Sequence, residues 1–419
     1  MRVLAGVLLL AGLLHAEFAA KGYAGFDAQA YLTRPDGKHP VNFTLQQQLE
    51  LSYNEGGFES GLNLYAQEDS YDLGSEKNER SFLRLDELYG KYNLESDMLF
   101  AGRNIRFWGA LEANNVVDTF NTVDLRSDIF DAQKMGAWNA AYTHYTQSGE
   151  IALIVKLYEE DQPMAAFPYV YYFFPQGVEY DKTLRSSESL NRPTVYLKWS
   201  GSTESDHPVD YALILQHGFD SQRAFASVFD PAVSAVTLHE EAYLVNKAMT
   251  YETMVIGSTL LKLEAQAADV IDRTYTSALT GQLEVEDYYQ FGLGVEHTLT
   301  SFYGEADLGL IGEYYYYNTF KQGSDIADDL ALFQLFENDL FLGLRYTFND
   351  AAESSVLAGT VIDTAYREQS YSVTYETRFF DLLSMKADYI YINPSTTEAT
   401  LYSLLGRHQR IGINLAYHF

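Results

Sequence analysis

"RIGINLAYHF", residues 410–419, alternates without exception: Ile411, Ile413, Leu415, Tyr417 and Phe419 fall on one side, and Gly412, Asn414, Ala416 and His418 on the other. Side chains along a strand point to opposite faces with a period of two, so the tail predicts a β-strand with one apolar and one mixed face. Terminal residues ordinarily fray, because nothing ties a free end down. A final strand this regular requires a partner along its whole length.

The same period runs through the rest of the chain. In "VNFTLQQQLELSY" (41–53), Val41, Phe43, Leu45, Leu49, Leu51 and Tyr53 face one way, and Asn42, Thr44, Gln46, Gln48, Glu50 and Ser52 the other. "PTVYLKWS" (193–200) and "YSVTYETRF" (371–379) read alike, and helical periodicity is scarce. Marking every alternating run gives about eighteen candidate strands. They lie near 22–32, 41–53, 58–67, 81–91, 97–107, 136–146, 150–159, 193–200 and 207–217. The series continues near 239–251, 258–268, 286–298, 302–316, 332–348, 355–364, 369–379, 384–393 and 409–419. Most are long enough for the roughly 9–11 residues with which a tilted strand crosses a bilayer.

The connections alternate between short and long. "NEGG", "NLES", "QSG", "TESD" and "FNDAAES" are short, whereas 68–80, 108–135, 160–192, 218–238, 269–285, 317–331 and 394–408 are long. A membrane barrel shows this asymmetry, with short periplasmic turns and longer extracellular loops. The one misfit is the connection near 365–368, external by count yet short. A soluble β-sandwich also alternates, but its turns do not sort by length and its strands average only about 5–6 residues. The expected fold is therefore all-β, a transmembrane antiparallel β-barrel of about 18 strands (16 being possible), built as one domain over 17–419.

Composition agrees with that fold and narrows the chemistry. Arg2, the apolar run "VLAGVLLLAGLL" and the small-residue site "LHA" read as a signal peptide over 1–16, with cleavage after Ala16. No later run of 18 or more apolar residues predicts a transmembrane helix. The absence of cysteine removes disulfides, thiol catalysis and cysteine metal sites. The net charge of −30 argues against nucleic acid as a partner, and no phosphate loop or dinucleotide fingerprint implies a cofactor. Mean hydropathy is slightly negative, as expected of a barrel with a polar interior. The 34 Tyr among 59 Tyr and Phe residues suit surfaces that are apolar at one end and wet at the other.

The terminal strand closing on Tyr417-His418-Phe419 resembles the assembly signal of Gram-negative outer-membrane β-barrel proteins. That resemblance implies recognition of Tyr417 and Phe419 by the barrel-insertion machinery and residence in the outer membrane. The stretch "AGRNIRFWGALEANNVVDTFNTVDLR" (101–126) is similar to a Gly-Arg…Trp-Gly…Asn…Asp strand and loop of poorly characterised proteobacterial porin-like barrels. It covers a small part of the chain and implies no particular cargo.

If the bulky apolar positions face lipid, the opposite positions line a lumen. Glu50, Glu59, Arg84, Asp86, Arg103, Lys156, Lys198, Lys262, Glu264, Arg345, Glu376 and Arg378 become the pore-lining candidates. The inward choice follows from cost, since an Arg or Lys facing lipid at mid-depth loses about 2–4 kcal/mol. Arg103 and Arg106 have opposite parity, so a regular strand cannot turn both inward; Arg103 is expected inside and Arg106 at the external rim. The segment 109–135 is expected to fold inward as a constriction. Its oxygen-bearing residues, chiefly Asp118, Asp124 and Asp128, are weak calcium candidates, although no EF-hand pattern is present and such residues are common in turns.

Two aromatic stretches stand out. "FPYVYYFFP" (167–175) is expected to pack at the barrel mouth, with an entry site for hydrophobic solutes as the sharper alternative. "YYYY" (314–317) reads as part of an interfacial aromatic girdle, and "HEE" (239–241) as a solvated strand entrance. The histidines are scattered, with no HExxH or GxSxG motif. The expected function is a porin for passive diffusion or uptake of small solutes through a mixed-charge lumen. Its partners would be outer-membrane lipid and lipopolysaccharide, the assembly machinery and small solutes, and a homotrimer is possible. A barrel-embedded lipid or peptide hydrolase, or a loop-driven structural or adhesion barrel, are the alternatives.

Overall fold

The computed structural model describes all residues except 1–17, 34–39, 74–78, 167–168, 173, 175–177, 231–234, 272–273, 278–280, 321–333, 335 and 396–399. The expected signal segment therefore lies outside the described residues. Eighteen long strands form the wall. In chain order these are β1 (Phe18–Thr33), β2 (Val41–Glu55), β3 (Phe58–Asp69), β4 (Phe82–Asn93), β5 (Asp97–Asn104) and β6 (Ala137–Thr146). They continue as β7 (Gly149–Lys156), β8 (Thr194–Ser202), β9 (Val209–Phe219), β10 (Leu244–Ile256), β11 (Thr259–Val270) and β12 (Tyr288–Tyr303). The ring is completed by β13 (Ala306–Thr319), β14 (Asn338–Thr347), β15 (Ser355–Asp363), β16 (Gln369–Phe379), β17 (Leu383–Asn393) and β18 (His408–His418).

Each strand pairs antiparallel with its sequence neighbours, and β1 pairs with both β2 and β18, so the sheet closes on itself. Closure matters because an open edge would leave backbone N–H and C=O groups unsatisfied in hydrocarbon. The seam runs from Thr33 opposite Gln409, through a register shift, to Tyr23 opposite His418. Beyond it, Gly22 and Phe419 exchange two backbone hydrogen bonds of 3.0 Å, so the tail is paired through its last residue.

Alternation sorts the two faces as the sequence requires. On β2, Phe43 is 49% exposed on the outside while Asn42 is fully buried within. Ile411, Ile413, Leu415, Tyr417 and Phe419 all lie on the outer, exposed face. The short connections, from 56–57 to 380–382, share one end with Phe18 and Phe419, and the long ones occupy the other. The short 364–368 link sits at that far end, so the misfit in length is real and the topology is nevertheless regular.

Several boundaries depart from expectation by a few residues, three of them where the chain leaves the wall. β5 stops at Asn104 rather than 107, where the backbone turns inward. β7 stops at Lys156 rather than 159. The run expected at 239–251 divides: Ala235–Glu241 pairs in parallel with Val178–Arg185 and antiparallel with Ala224–Asp230, and the wall resumes only at Leu244. This three-stranded sheet knits the connections 157–193 and 220–243 together.

Candidate functional site

The interior is built from the wall's inward positions plus one loop. From Ile105 the chain turns into the barrel, where Trp108, Leu111, Val116, Val117 and Phe120 are buried. They pack on inward apolar residues of the wall, among them Phe100, Ile154, Tyr196, Ile214 and Met249. The barrel thus has an apolar core on one flank, formed by a loop lying against its inner wall.

Two wall carboxylates hold the loop tip. Glu264 on β11 accepts the backbone N–H groups of Ala110 (2.6 Å), Leu111 (2.9 Å) and Val117 (3.3 Å). Glu313 on β13 accepts those of Glu112 (2.8 Å) and Ala113 (3.0 Å) and the hydroxyl of Tyr315 (2.5 Å), which itself accepts the N–H of Asn114 (3.1 Å). Arg345 on β14 then bridges Glu112 of the loop and Glu296 of β12, each at 2.6 Å. A turn of bare backbone in a barrel would otherwise carry unpaired donors, and the carboxylates satisfy them. At the loop's base, Asn121 donates to the carbonyls of Asn104 (3.1 Å) and Met135 (2.8 Å).

The predicted lining residues take definite places. Glu50 pairs with Lys21 (2.9 Å), Glu59 with Lys91 (2.7 Å) and Lys198 with Glu150 (3.3 Å). Lys262 lies 3.4 Å from Glu296 and 3.8 Å from Glu313. Lys156 pairs with Glu159 (2.9 Å), which also binds Arg223 (2.5 Å). Arg84 joins Asp86 and Asp124, both at 2.6 Å. Glu376 faces Ser355 and Lys386 across its two ladders, and Arg378 reaches Glu353 of a short turn at 3.7 Å. All of these lie on the inward register.

Arg103 does not, which corrects the expectation for the arginine pair. It stands opposite Leu88 and Trp138 on the outward register and folds back to the Leu85 carbonyl (2.8 Å) and to Glu160 (2.6 Å). Arg106 is the one inside, over the rings of Phe100 (5.4 Å) and Phe120 (5.3 Å) and donating to Asn139 at 3.0 Å. Burial pulls its guanidinium down to about 10, so it remains charged at neutral pH. Alternation places side chains only while the strand continues, and this one ends between the two residues.

The calcium candidates do not converge on a common point. Asp118 pairs with Lys134, Asp124 with Arg126 (2.7 Å) and Arg84, and Asp128 with Arg410. Burial works against ionisation of Asp124, but Arg126 and Arg84 outweigh it and hold the carboxyl below its usual range. Among the described residues, no group of three or more acidic, histidine or cysteine side chains is arranged for a metal.

The aromatic stretch at 167–175 is buried where it is described. Tyr169, Val170, Tyr171, Tyr172 and Phe174 pack with Tyr31, Tyr71, Ile392, Tyr402 and Leu405 at the external mouth. Arg80, 1% exposed, stacks 3.6 Å over the Tyr169 ring and pairs with Asp69 at 2.7 Å. The described residues of the stretch are packed against the wall and present no open apolar face. "YYYY" also divides by parity: Tyr314 and Tyr316 face outward as a girdle should, while Tyr315 and Tyr317 are buried inside. His239 and Glu240 of "HEE" are buried in the loop sheet rather than solvated.

Below the mouth, between the 124–133 segment and the wall formed by β17, β18, β1, β2 and β3, lies a cavity of about 250 Å³. Asp27, Asp388, Lys386 and Arg410 line it, together with Gln29, Gln46, Gln67 and Asn414. Gln46 and Asn414 fall on the inward side by sequence alternation, whereas the charged members are absent from the pore-lining candidates, although the alternation that places Glu50 inward applies equally to "GFDAQAY" and "MKADYIY".

No protein-family model matches the chain, and no curated protein matches it. Solved structures do. OpdQ of Pseudomonas aeruginosa aligns with a TM-score of 0.52 at 10% identity, covering 96% of this chain and 97% of the other. OccK5 (OpdH) of P. aeruginosa gives 0.51 at 10% identity over 96% and 97%. The outer membrane protein OpdK of P. aeruginosa gives 0.51 at 10% identity over 96% and 99%. The likeness spans nearly the whole of each chain and shows the fold: this chain is a closed, eighteen-stranded antiparallel β-barrel with the fold of these Pseudomonas proteins.

Proposed function

We propose that this chain is an outer-membrane channel through which small polar solutes diffuse passively. One observation carries the reading: a polar, ion-paired inner wall is narrowed by a loop whose tip is bound through its backbone to the opposite side by Glu264 and Glu313. A sealed structural barrel needs no such device, and a fixed constriction lined by paired charges is how pores discriminate among solutes. The inward residues named above, from Glu50 to Arg378 with Arg103 set aside, then line the path. Export by the 1–16 segment, recognition of Tyr417 and Phe419 during insertion, contact with lipopolysaccharide and assembly as a trimer complete this reading.

Purified protein in a planar bilayer tests it. Stepwise conductance with a reversal potential set by the salt gradient is expected, and a barrel that inserts without conducting overturns the proposal. A hydrolase has less support. The Ser384 hydroxyl lies 2.8 Å from His418 Nε2, but no carboxylate among the described residues bonds the other ring nitrogen, so the orienting member of a triad is missing.

A further inference from the structure

In "LQQQL" (45–49) three consecutive glutamines are divided between the two faces of β2. Gln46 and Gln48 face the lumen and are hydrogen-bonded there: Gln46 Oε1 accepts from Asn414 at 3.2 Å, and Gln48 donates to Asn63 at 3.1 Å. Gln47 has the opposite parity. It stands midway along the outward row, with Val41, Phe43 and Leu45 toward the external mouth and Leu49, Leu51 and Tyr53 toward the short turn. Its partners in the two ladders are Ala24 of β1 and Ala66 of β3, which have no polar side-chain atom. The next polar side chain along the outer face of β3 is Glu68, one outward step nearer the mouth and opposite Leu45. Among the described residues, the Gln47 amide has no hydrogen-bond partner. Lipid supplies none at that depth, because hydrocarbon has neither donor nor acceptor and the headgroups sit at the two edges. A polar side chain left in that position is costly unless another protein surface meets it.

We infer that Gln47 is the centre of a contact between copies of this chain, made by the outer faces of β1, β2 and β3 within the membrane. The inference rests on the reading of the wall as membrane-spanning and gives the assembly proposed above its contact face. A carboxamide carries two donors and an acceptor oxygen with two lone pairs, so Gln47 of one copy satisfies Gln47 of the next. A twofold axis pairs two amides reciprocally, and the threefold axis of a trimer closes them into a ring in which each donates to its neighbour. A charged side chain would repel its own copy across either axis, whereas the amide is self-complementary. Ala24 and Ala66 fit the same role. They keep the wall low on both sides of Gln47, so two barrels approach closely enough for the amides to meet, as small residues allow between membrane-spanning helices.

The chain has no cysteine, so a single introduced thiol reports alone. Gln47→Cys in the full-length barrel, reconstituted in lipid vesicles, is expected to give a covalent dimer on oxidation with copper phenanthroline. Leu213→Cys, 44% exposed in the native side chain and outward on β9 across the ring, is expected to remain monomeric. Gln47→Leu places an apolar side chain against lipid and leaves the fold of the wall undisturbed. It should raise the protein-to-lipid ratio for half-maximal association, read by energy transfer between labelled copies, by about tenfold. No dimer from Gln47→Cys, an equal yield from Leu213→Cys, or association unchanged in Gln47→Leu overturns the inference. Conductance is recorded on the same preparations. A barrel that conducts without cross-linking at 47 loses the contact and keeps the channel, and one that cross-links there without conducting keeps the contact and loses the channel.

Discussion

Glu264 and Glu313 show how single residues set the interior. Each carboxylate accepts several backbone donors from one loop, and hydrogen bonds to a charged group contribute about 1.5–3 kcal/mol apiece. Glu264→Ala should free the loop tip, raising single-channel conductance and adding current noise in a bilayer recording. Gly109 makes the same latch sensitive from the loop side. Its φ is +99°, and a Cβ there would meet the Glu264 carboxylate oxygen at 2.5 Å, so Gly109→Ala should reproduce the Glu264→Ala phenotype. Lys247 and Asp220 form a fully buried pair at 2.7 Å, with the Tyr288 hydroxyl donating to Asp220 at 2.6 Å. Lys247→Met leaves that carboxylate buried without its cation. It should cost about 3–5 kcal/mol, read as lost hydrogen-exchange protection in 220–243.

At the scale of elements, the external sheet of 178–185, 224–230 and 235–241 has a built-in pH dependence. Burial pushes the Glu240 carboxyl up to about 7, against the opposing pull of Arg223 and of a hydrogen bond from Tyr180. A carboxyl whose value rises on folding stabilises the fold fully below the ordinary glutamate range. That contribution is lost as pH climbs through the raised value. Limited proteolysis should therefore cut this sheet more readily at about pH 8.5 than at about pH 5.5, and Glu240→Gln should remove the difference. Elements also mark the limit of reading by alternation. β2, β9 and β18 run as their sequences say, because each position faces either lipid or lumen. Arg103 obeys that rule on the outward register it shares with Leu99, and only the chain after Asn104 does not, so Arg106 turns inward where the rim was expected. "HEE" misled for the same reason: it alternates like a wall strand but pairs within the loops.

For the whole molecule, the balance of inward charge governs what the pore favours. Arg345 ties the loop to β12, and Arg378 stands near the end bearing the short turns. Replacing both by Glu should shift the reversal potential in a potassium chloride gradient toward cation preference; an unchanged potential would remove them from the conducting path. The shift should shrink as ionic strength rises, since screening shortens the reach of exposed charges.

The sequence by itself determined the barrel. Lipid on one face and water on the other impose a period of two on every crossing strand, and the two ends of the barrel impose two classes of connection. Those constraints act locally, so the strand number, the direction of each strand and the outward face of 411–419 are legible residue by residue. The interior was decided only in three dimensions. Ala110 meets Glu264, Asp128 meets Arg410 and Tyr31 meets Tyr169 across long stretches of chain. Such pairings depend on how a loop without periodicity folds into a closed space, where burial and the need to satisfy every polar group select one arrangement.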